Sequence, residues 1–153
     1  MRYVPKSLSV KDKKKQISMI QKSRKNYAKR RRLYPRKKLK SFKSVPSKHV
    51  VKAKQLYKVN QVSPNQQLAK ATGCSVSALK QIVKKGEGAY YSSGSRPNQT
   101  AQSWGLARLA SSITGGNSSW VDLEILRKGC QHSKKAFQLA RKKPLRKTRK
   151  IKV

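Results

Sequence analysis

Acidic residues are the scarcest class in this sequence: 153 residues include only four Asp and Glu, against forty Lys and Arg. The formal net charge is +36 at pH 7. Self-repulsion of this size opposes compaction of an isolated chain, so we expect its partners to be negatively charged. Four carboxylates are too few for paired-carboxylate catalysis, and no nucleophile stands beside an orienting partner. We therefore expect no enzyme activity, no cofactor and no small-molecule substrate.

Long apolar runs are missing too. Only 35% of the residues are hydrophobic, and no run approaches the roughly 18 apolar residues of a membrane span. The first residues lack the apolar stretch of a secretion signal. Two cysteines, Cys74 and Cys130, make no disulfide framework and indicate a reducing intracellular site of synthesis. Cys130 and His132 could ligate a metal, but no second pair stands at zinc spacing, so no metal site is expected.

The positive charge is unevenly distributed along the chain. Residues 1–62 carry a net +21, residues 63–133 carry +5 and residues 134–153 carry +10. This division predicts a mainly α protein, in which a compact helical domain over 63–133 is flanked by long basic N- and C-terminal arms. The N-terminal arm contains one amphipathic helix, which Ser9 and Asp12 begin as a capping box. An extended strap over 36–48, a short helix over 49–57 and a tail helix ending before Pro144 complete the arms.

Residues 63–86 have a helix-turn-helix pattern. Ser63 caps a first helix (64–72) that Gly73 ends, and Ser75 caps a second helix (76–85) that Gly86 ends. Cys74 is expected to fill the turn as a small hydrophobe. The exposed face of the second helix carries polar residues, which could reach phosphates and base edges in a major groove. These are Ser77, Lys80, Gln81 and Lys84. An αα-hairpin with an ordinary polar surface has the same pattern.

Residues 86–105 form the least generic stretch. Its glycines predict turns, which would form either an anion-holding loop with Arg96 or a structural turn that packs Tyr90 and Tyr91 on the core. A helix over 98–113 follows, with Trp104 opposite its apolar face and so either buried or presented to a partner. Ser119 with Asp122 then predicts a second capping box, for a helix over 120–128.

The sequence of this stretch resembles that of a family of small basic proteins of nucleocytoplasmic large DNA viruses, among them relatives of chlorella viruses and mimivirus. The resemblance lies in GAYYSSGSRPNQT at 88–100, SWG at 103–105, ARLA at 107–110, the Thr-Gly-Gly turn at 114–116 and Lys-Gly-Cys at 128–130. It implies a non-enzymatic component of the virus particle, synthesised in the host cytoplasm and not secreted.

From these features we expect a virion structural protein, a minor capsid or cement protein that links other capsid proteins through its basic arms. The alternative is a virion nucleic-acid-binding protein for genome packaging, and the arms could meet viral DNA or an anionic membrane surface. Composition also leaves a ribosomal or RNA-assembly role open. The candidate polyanion contacts, beside the four on the second helix, are Lys13, Lys14, Lys15, Arg30, Arg31, Arg32, Arg36, Lys37, Lys38, Arg146, Lys147, Arg149 and Lys150.

Overall fold

The computed structural model describes residues 2–142, and within them the chain forms eight helices and no strand. The helices are α1 Val10–Ala28, α2 Lys48–Tyr57, α3 Gln66–Thr72, α4 Val76–Ser92, α5 Ala101–Ile113, α6 Asn117–Val121, α7 Leu123–Gly129 and α8 Lys135–Lys142. The predicted mainly α class is confirmed. None of these helices is long and apolar enough to cross a membrane.

The two central helices, α4 and α5, cross at a pair of glycines. A Cβ atom on Gly86 would lie 2.7 Å from the Cα of Gly105, and one on Gly105 would lie 2.7 Å from the carbonyl oxygen of Val83. The prediction that Gly86 ends the second helix is therefore wrong. The helix continues to Ser92, because here glycine allows two backbones to approach rather than breaking the helix.

One hydrophobic core extends across both predicted domain boundaries. Its centre is α5, where Leu109, Ala110 and Ile113 have no exposed surface. Helix α2 adds Ala53 and Tyr57 to this core. Helix α8 adds three further residues, Ala136, Phe137 and Ala140. The segments predicted as arms thus supply part of the core, because their helices carry apolar residues three and four positions apart that must be buried.

The hydroxyl of Tyr57 fixes α2 to the end of α5. It donates a hydrogen bond to the carbonyl oxygen of Ile113. Burial raises the pKa of Tyr57 well above its ordinary value, since the charged form would lose its hydration. A buried phenol with a satisfied donor is typical of a structural contact, so residues 48–57 belong to the body of the protein.

The N-terminal helix is also held against the body. The hydroxyl of Ser9 accepts the N–H of Asp12 at 3.2 Å, which confirms the serine cap, but the Asp12 carboxylate accepts from Ser41 and does not complete a capping box. The side-chain amide of Gln16 donates to the carbonyl oxygen of Ser95 at 3.1 Å, and Ser23 donates to that of Tyr91 at 3.0 Å. These polar contacts compensate for the narrow apolar stripe of α1, so the helix docks on its own chain.

The strap that follows α1 is tied back at two places. The Asp12 carboxylate accepts the hydroxyl and the N–H of Ser41, at 2.7 and 3.1 Å, and these bonds hold the pKa of Asp12 below its ordinary value. The side-chain oxygen of Asn98 accepts the N–H of Leu39 at 2.7 Å. Residues 36–41 therefore follow a defined path, although they form no helix or strand.

The turn between α3 and α4 is formed by the predicted glycine and serine, but α3 begins at a different cap from the predicted one. Asn65 caps α3 instead of Ser63, by accepting the N–H of Leu68 at 2.9 Å. Gly73 ends α3 with φ +73°, and Ser75 caps α4 by accepting the N–H of Ala78 at 3.1 Å. Both of these predicted positions are confirmed.

Cys74, in this turn, forms a disulfide with Cys130. The backbones beside the bond pair as well, since the N–H of Ser75 donates to Gly129 O at 2.7 Å and that of Gln131 to Gly73 O at 2.8 Å. The expectation that the two cysteines make no disulfide is therefore wrong. Fifty-six residues separate the two sulfurs along the chain, and their proximity results from the fold.

The predicted capping box of Ser119 and Asp122 is wrong as well. The Ser119 hydroxyl donates to the carbonyl oxygen of Gly116, and the Asp122 side chain makes no cap bond. Asp122 is fully buried and accepts Arg108 Nε at 2.9 Å, Arg108 Nη2 at 2.7 Å and the Ser112 hydroxyl at 2.7 Å. It lies between α6 and α7, where a single helix over 120–128 was predicted, and holds them against α5.

Candidate nucleic-acid interface

Three of the four carboxylates of the chain are bound by its own donors. Asp12 is held by Ser41, and Asp122 by Arg108 and Ser112. Glu124 pairs with Arg127 at 2.5 Å, and the hydrogen bonds of this pair lower the pKa of Glu124 to about 2. The basic surface therefore has little internal counter-charge.

Ion pairs neutralise few of the basic side chains. The last eleven residues of the sequence hold six of the forty lysines and arginines, so 34 lie within residues 2–142. In that part of the chain, ion pairs to carboxylates involve four of them: Lys85, Arg108, Arg127 and Lys128. A surface with so much unpaired positive charge attracts polyanions, and its field would bind them without sequence preference.

The exposed face of α4 is the most regular part of this surface. It carries Ser77, Lys80, Gln81 and Lys84, all exposed. The opposite side of the helix buries Leu79, Ile82 and Val83 in the core. At 1.5 Å per residue, the polar face extends for roughly 10 Å along the helix. The spacing predicted this separation of faces, and no segment among residues 2–142 buries these four side chains.

A groove opens at each end of this face. The first, the α3–α7 groove, has a volume of about 1130 Å³ and includes Lys70, Ser75, Val76, Lys128 and Lys134 in its wall. The second, the α4–α6 groove, has a volume of about 590 Å³. Its wall includes Tyr27, Gln81, Lys84, Lys85, Arg108 and Val121. Lysines thus line a path that runs past both ends of the polar face.

The predicted contacts of the N-terminal segment lie at the surface, with one exception. Lys14, Lys15, Arg30, Arg31, Arg32, Lys37 and Lys38 are exposed and Lys13 is half-buried. Arg36 is the exception, because its guanidinium carbon lies 3.6 Å from the centre of the Tyr90 ring. Arg146, Lys147, Arg149 and Lys150 lie outside the described residues.

Arg36 fixes the strap to the loop after α4. It donates to the carbonyl oxygen of Tyr90 at 2.9 Å and to the hydroxyl of Ser95 at 2.7 Å. Burial lowers its pKa, since the charged guanidinium is partly removed from water. Its donors are engaged inside the protein, so the geometry gives Arg36 a structural role instead of a polyanion contact.

The predicted loop residues are divided between core and surface. Tyr90 is buried and its hydroxyl donates to the carbonyl oxygen of Gln99 at 3.1 Å, while Tyr91 is half-buried. Both tyrosines belong to the last turns of α4, so residues 86–92 form no anion-holding loop. Arg96 is exposed. Trp104 is half-buried and its ring meets that of Tyr3 edge-on, at 5.5 Å between centres.

Three lysines of the α3–α7 groove were missed by the sequence reasoning. Lys70 belongs to α3, Lys128 to α7 and Lys134 to the turn before α8. Lys70 and Lys128 belong to the weakly basic segment 63–133 and Lys134 is the first residue of the basic C-terminal segment, so no local pattern joins them. Among residues 2–142, no three His, Cys, Asp or Glu side chains lie close enough to hold a metal ion.

The fold and this surface define a small, strongly basic helical protein, with a polar helix face between two lysine-lined grooves. The chain belongs to a family of unknown function, DUF5824, whose sequence profile matches residues 2–123. The matched region includes α1 to α6, and with them the whole polar face of α4. A search of the curated proteins gives no significant match, and a search of the solved structures gives none either.

Proposed function

We propose that this protein binds nucleic acid through the backbone phosphates, as a structural component of a nucleoprotein particle. One observation carries the proposal: four of the 34 described lysines and arginines are paired with carboxylates, and all but three of the others (Lys13, Arg24 and Arg36) are exposed. The unobstructed lysines of α4 supply a defined contact within that charge. The resemblance of the sequence to proteins of large DNA viruses supports a role in the packaging of a viral genome.

Lys80 and Lys84 give the proposal a direct test. Wild-type protein should bind a labelled duplex of about 20 bp. The logarithm of its binding constant, plotted against the logarithm of the salt concentration, should have a slope near −7 if roughly eight phosphates are neutralised. In the variant K80Q/K84Q this slope should be less steep by about 2, because two lysine–phosphate contacts are lost. Fluorescence anisotropy over a salt series measures both quantities.

A matched pair of lysines on α2 controls for net charge. The variant K48Q/K54Q removes the same charge from a helix outside the polar face, and both side chains are exposed. Its slope should stay closer to wild type than that of K80Q/K84Q. Absence of any affinity at low salt, about 50 mM, would contradict the proposal, since phosphate binding is strongest there.

A second candidate is the minor capsid or cement role, in which the protein links shell proteins. It is favoured by apolar side chains on the segment between α1 and α2, where Leu33 is 47%, Tyr34 46% and Val45 72% exposed. Exposed apolar side chains among lysines suit a surface that another protein covers. Cross-linking in intact particles should then join Lys37, Lys38 or Lys43 to shell proteins. Recovery of the chain entirely with the genome would reject this role.

A further inference from the structure

The α3–α7 groove brings together lysines from three separate elements. Lys70, Lys128 and Lys134 are all exposed and all line it. Lys128 has a carboxylate partner, Glu124 at 3.4 Å, and both side chains of that pair are more than 60% exposed. Pairs so exposed are weak and screened by salt, so they yield readily to a stronger anion.

The groove is held in shape by covalent and backbone bonds. The disulfide joins Cys74 and Cys130 in its wall, and the backbone bond from Ser75 N–H to Gly129 O at 2.7 Å lies beside it. The stem of Lys134 passes over Gly73, where a Cβ atom would lie 2.5 Å from its Cγ. The spacing of the three lysines is therefore set by the fold.

The remaining lining mixes side-chain amides with small and apolar residues. Three side-chain amides, those of Gln66, Gln67 and Gln131, face the groove together with the start of α4 at Ser75 and Val76. About half of the groove surface is apolar, but its lining holds three lysines and three amides and no carboxylate, a set of donors that suits the phosphates of a nucleic acid.

The groove also leads onto the polar face of α4. Val76 lines the groove and Lys80 lies four residues further along the helix, so the two are neighbours on its surface. An anionic chain that follows the groove would pass directly to Lys80 and Lys84. The groove and the polar face thus form one continuous track.

We propose that the α3–α7 groove is a binding site for the phosphate backbone of a nucleic acid, held by Lys70, Lys128 and Lys134. This inference rests on the proposed function and deepens it, because it names the site to which the nucleic acid would pass from the polar face of α4. The site includes none of the residues that the sequence analysis predicted as contacts.

The test compares two triple variants of the full, oxidised chain. K70Q/K128Q/K134Q removes the three charges and keeps most of each stem, and K43Q/K48Q/K54Q removes three exposed charges elsewhere. With a duplex of about 20 bp, the groove variant should bind about tenfold more weakly near 100 mM salt, and its slope should be less steep by about 3. The control should remain near wild type, and circular dichroism should show both folded.

Each alternative result has a distinct meaning. An equal loss in both triple variants would overturn the groove and leave a general charge effect. Unchanged binding by the groove variant, together with a loss in K80Q/K84Q, would overturn the groove while the proposed function stands. Failure of the wild-type chain to bind would overturn both. If polyglutamate of matched charge displaces the duplex as well as unlabelled duplex does, the groove serves acidic protein and the inference is wrong.

Discussion

Replacing Asp122 with alanine should lower the free energy of unfolding by about 3–5 kcal/mol, because it leaves a charged partner without its counter-ion in the protein interior. Asp122 has no exposed surface, and the Arg108 side chain is 16% exposed. The substitution also removes the acceptor of the Ser112 hydroxyl. Urea unfolding followed by circular dichroism measures the change.

Two further variants separate the ion pair from simple loss of charge. Glu124→Gln removes a carboxylate from the neighbouring helix α7, where the side chain is 62% exposed, and should leave the unfolding midpoint unchanged. Arg108→Met added to Asp122→Asn should recover part of the loss, since no buried charge then stays unpaired. An Asp122→Ala midpoint as close to wild type as that of Glu124→Gln would show that Asp122 is not a structural centre.

Local signals in the sequence predicted the elements of this fold well. Ser9 begins α1, Gly73 ends α3 and Ser75 begins α4, and each acts within four residues of the group it bonds. The alternation of polar and apolar positions also predicted which face of α4 is exposed. Such signals depend on helix geometry alone, which is the same wherever the helix lies.

Errors arose where one residue has two possible roles and a distant partner decides between them. Gly86 has the local signature of a helix stop, but its role is set by Gly105, nineteen residues later. Asp122 fits a capping box, but Arg108 on another helix takes its carboxylate. No pattern within a window of a few residues contains either contact.

The division into arms and domain was drawn from charge, and the packing of the core does not follow charge. Charge is a surface property and is high in residues 1–62, yet Ala53 and Tyr57 in that segment lie in the core. Lysines occupy the solvent side of the same helices, so a segment can be strongly basic and still contribute apolar residues. The groove lysines show the converse, since two of the three, Lys70 and Lys128, come from the least charged segment and meet Lys134 only in the folded protein.

Loss of the Cys74–Cys130 disulfide should have an effect of similar size to loss of Asp122. The bond closes 56 residues of chain, and the chain-entropy relation for a loop of that length gives about 4 kcal/mol of stability. Oxidised wild-type protein should therefore unfold at a higher urea concentration than protein treated with a phosphine reductant. A thiol assay of the untreated chain should find no free cysteine.

The double variant C74A/C130A distinguishes the cross-link from the reductant itself. It should unfold near the midpoint of reduced wild type and should not respond to the phosphine, because it has no bond to break. The loss of stability should be greatest where the α3–α4 turn meets the end of α7. There the backbone N–H groups of Ser75 and Gln131 donate to the carbonyl oxygens of Gly129 and Gly73. Two reactive thiols in the untreated, folded protein would show that the fold forms without the bond. The spacing of the groove lysines would then depend on those two backbone hydrogen bonds and on the packing of α7 against α4 and α8.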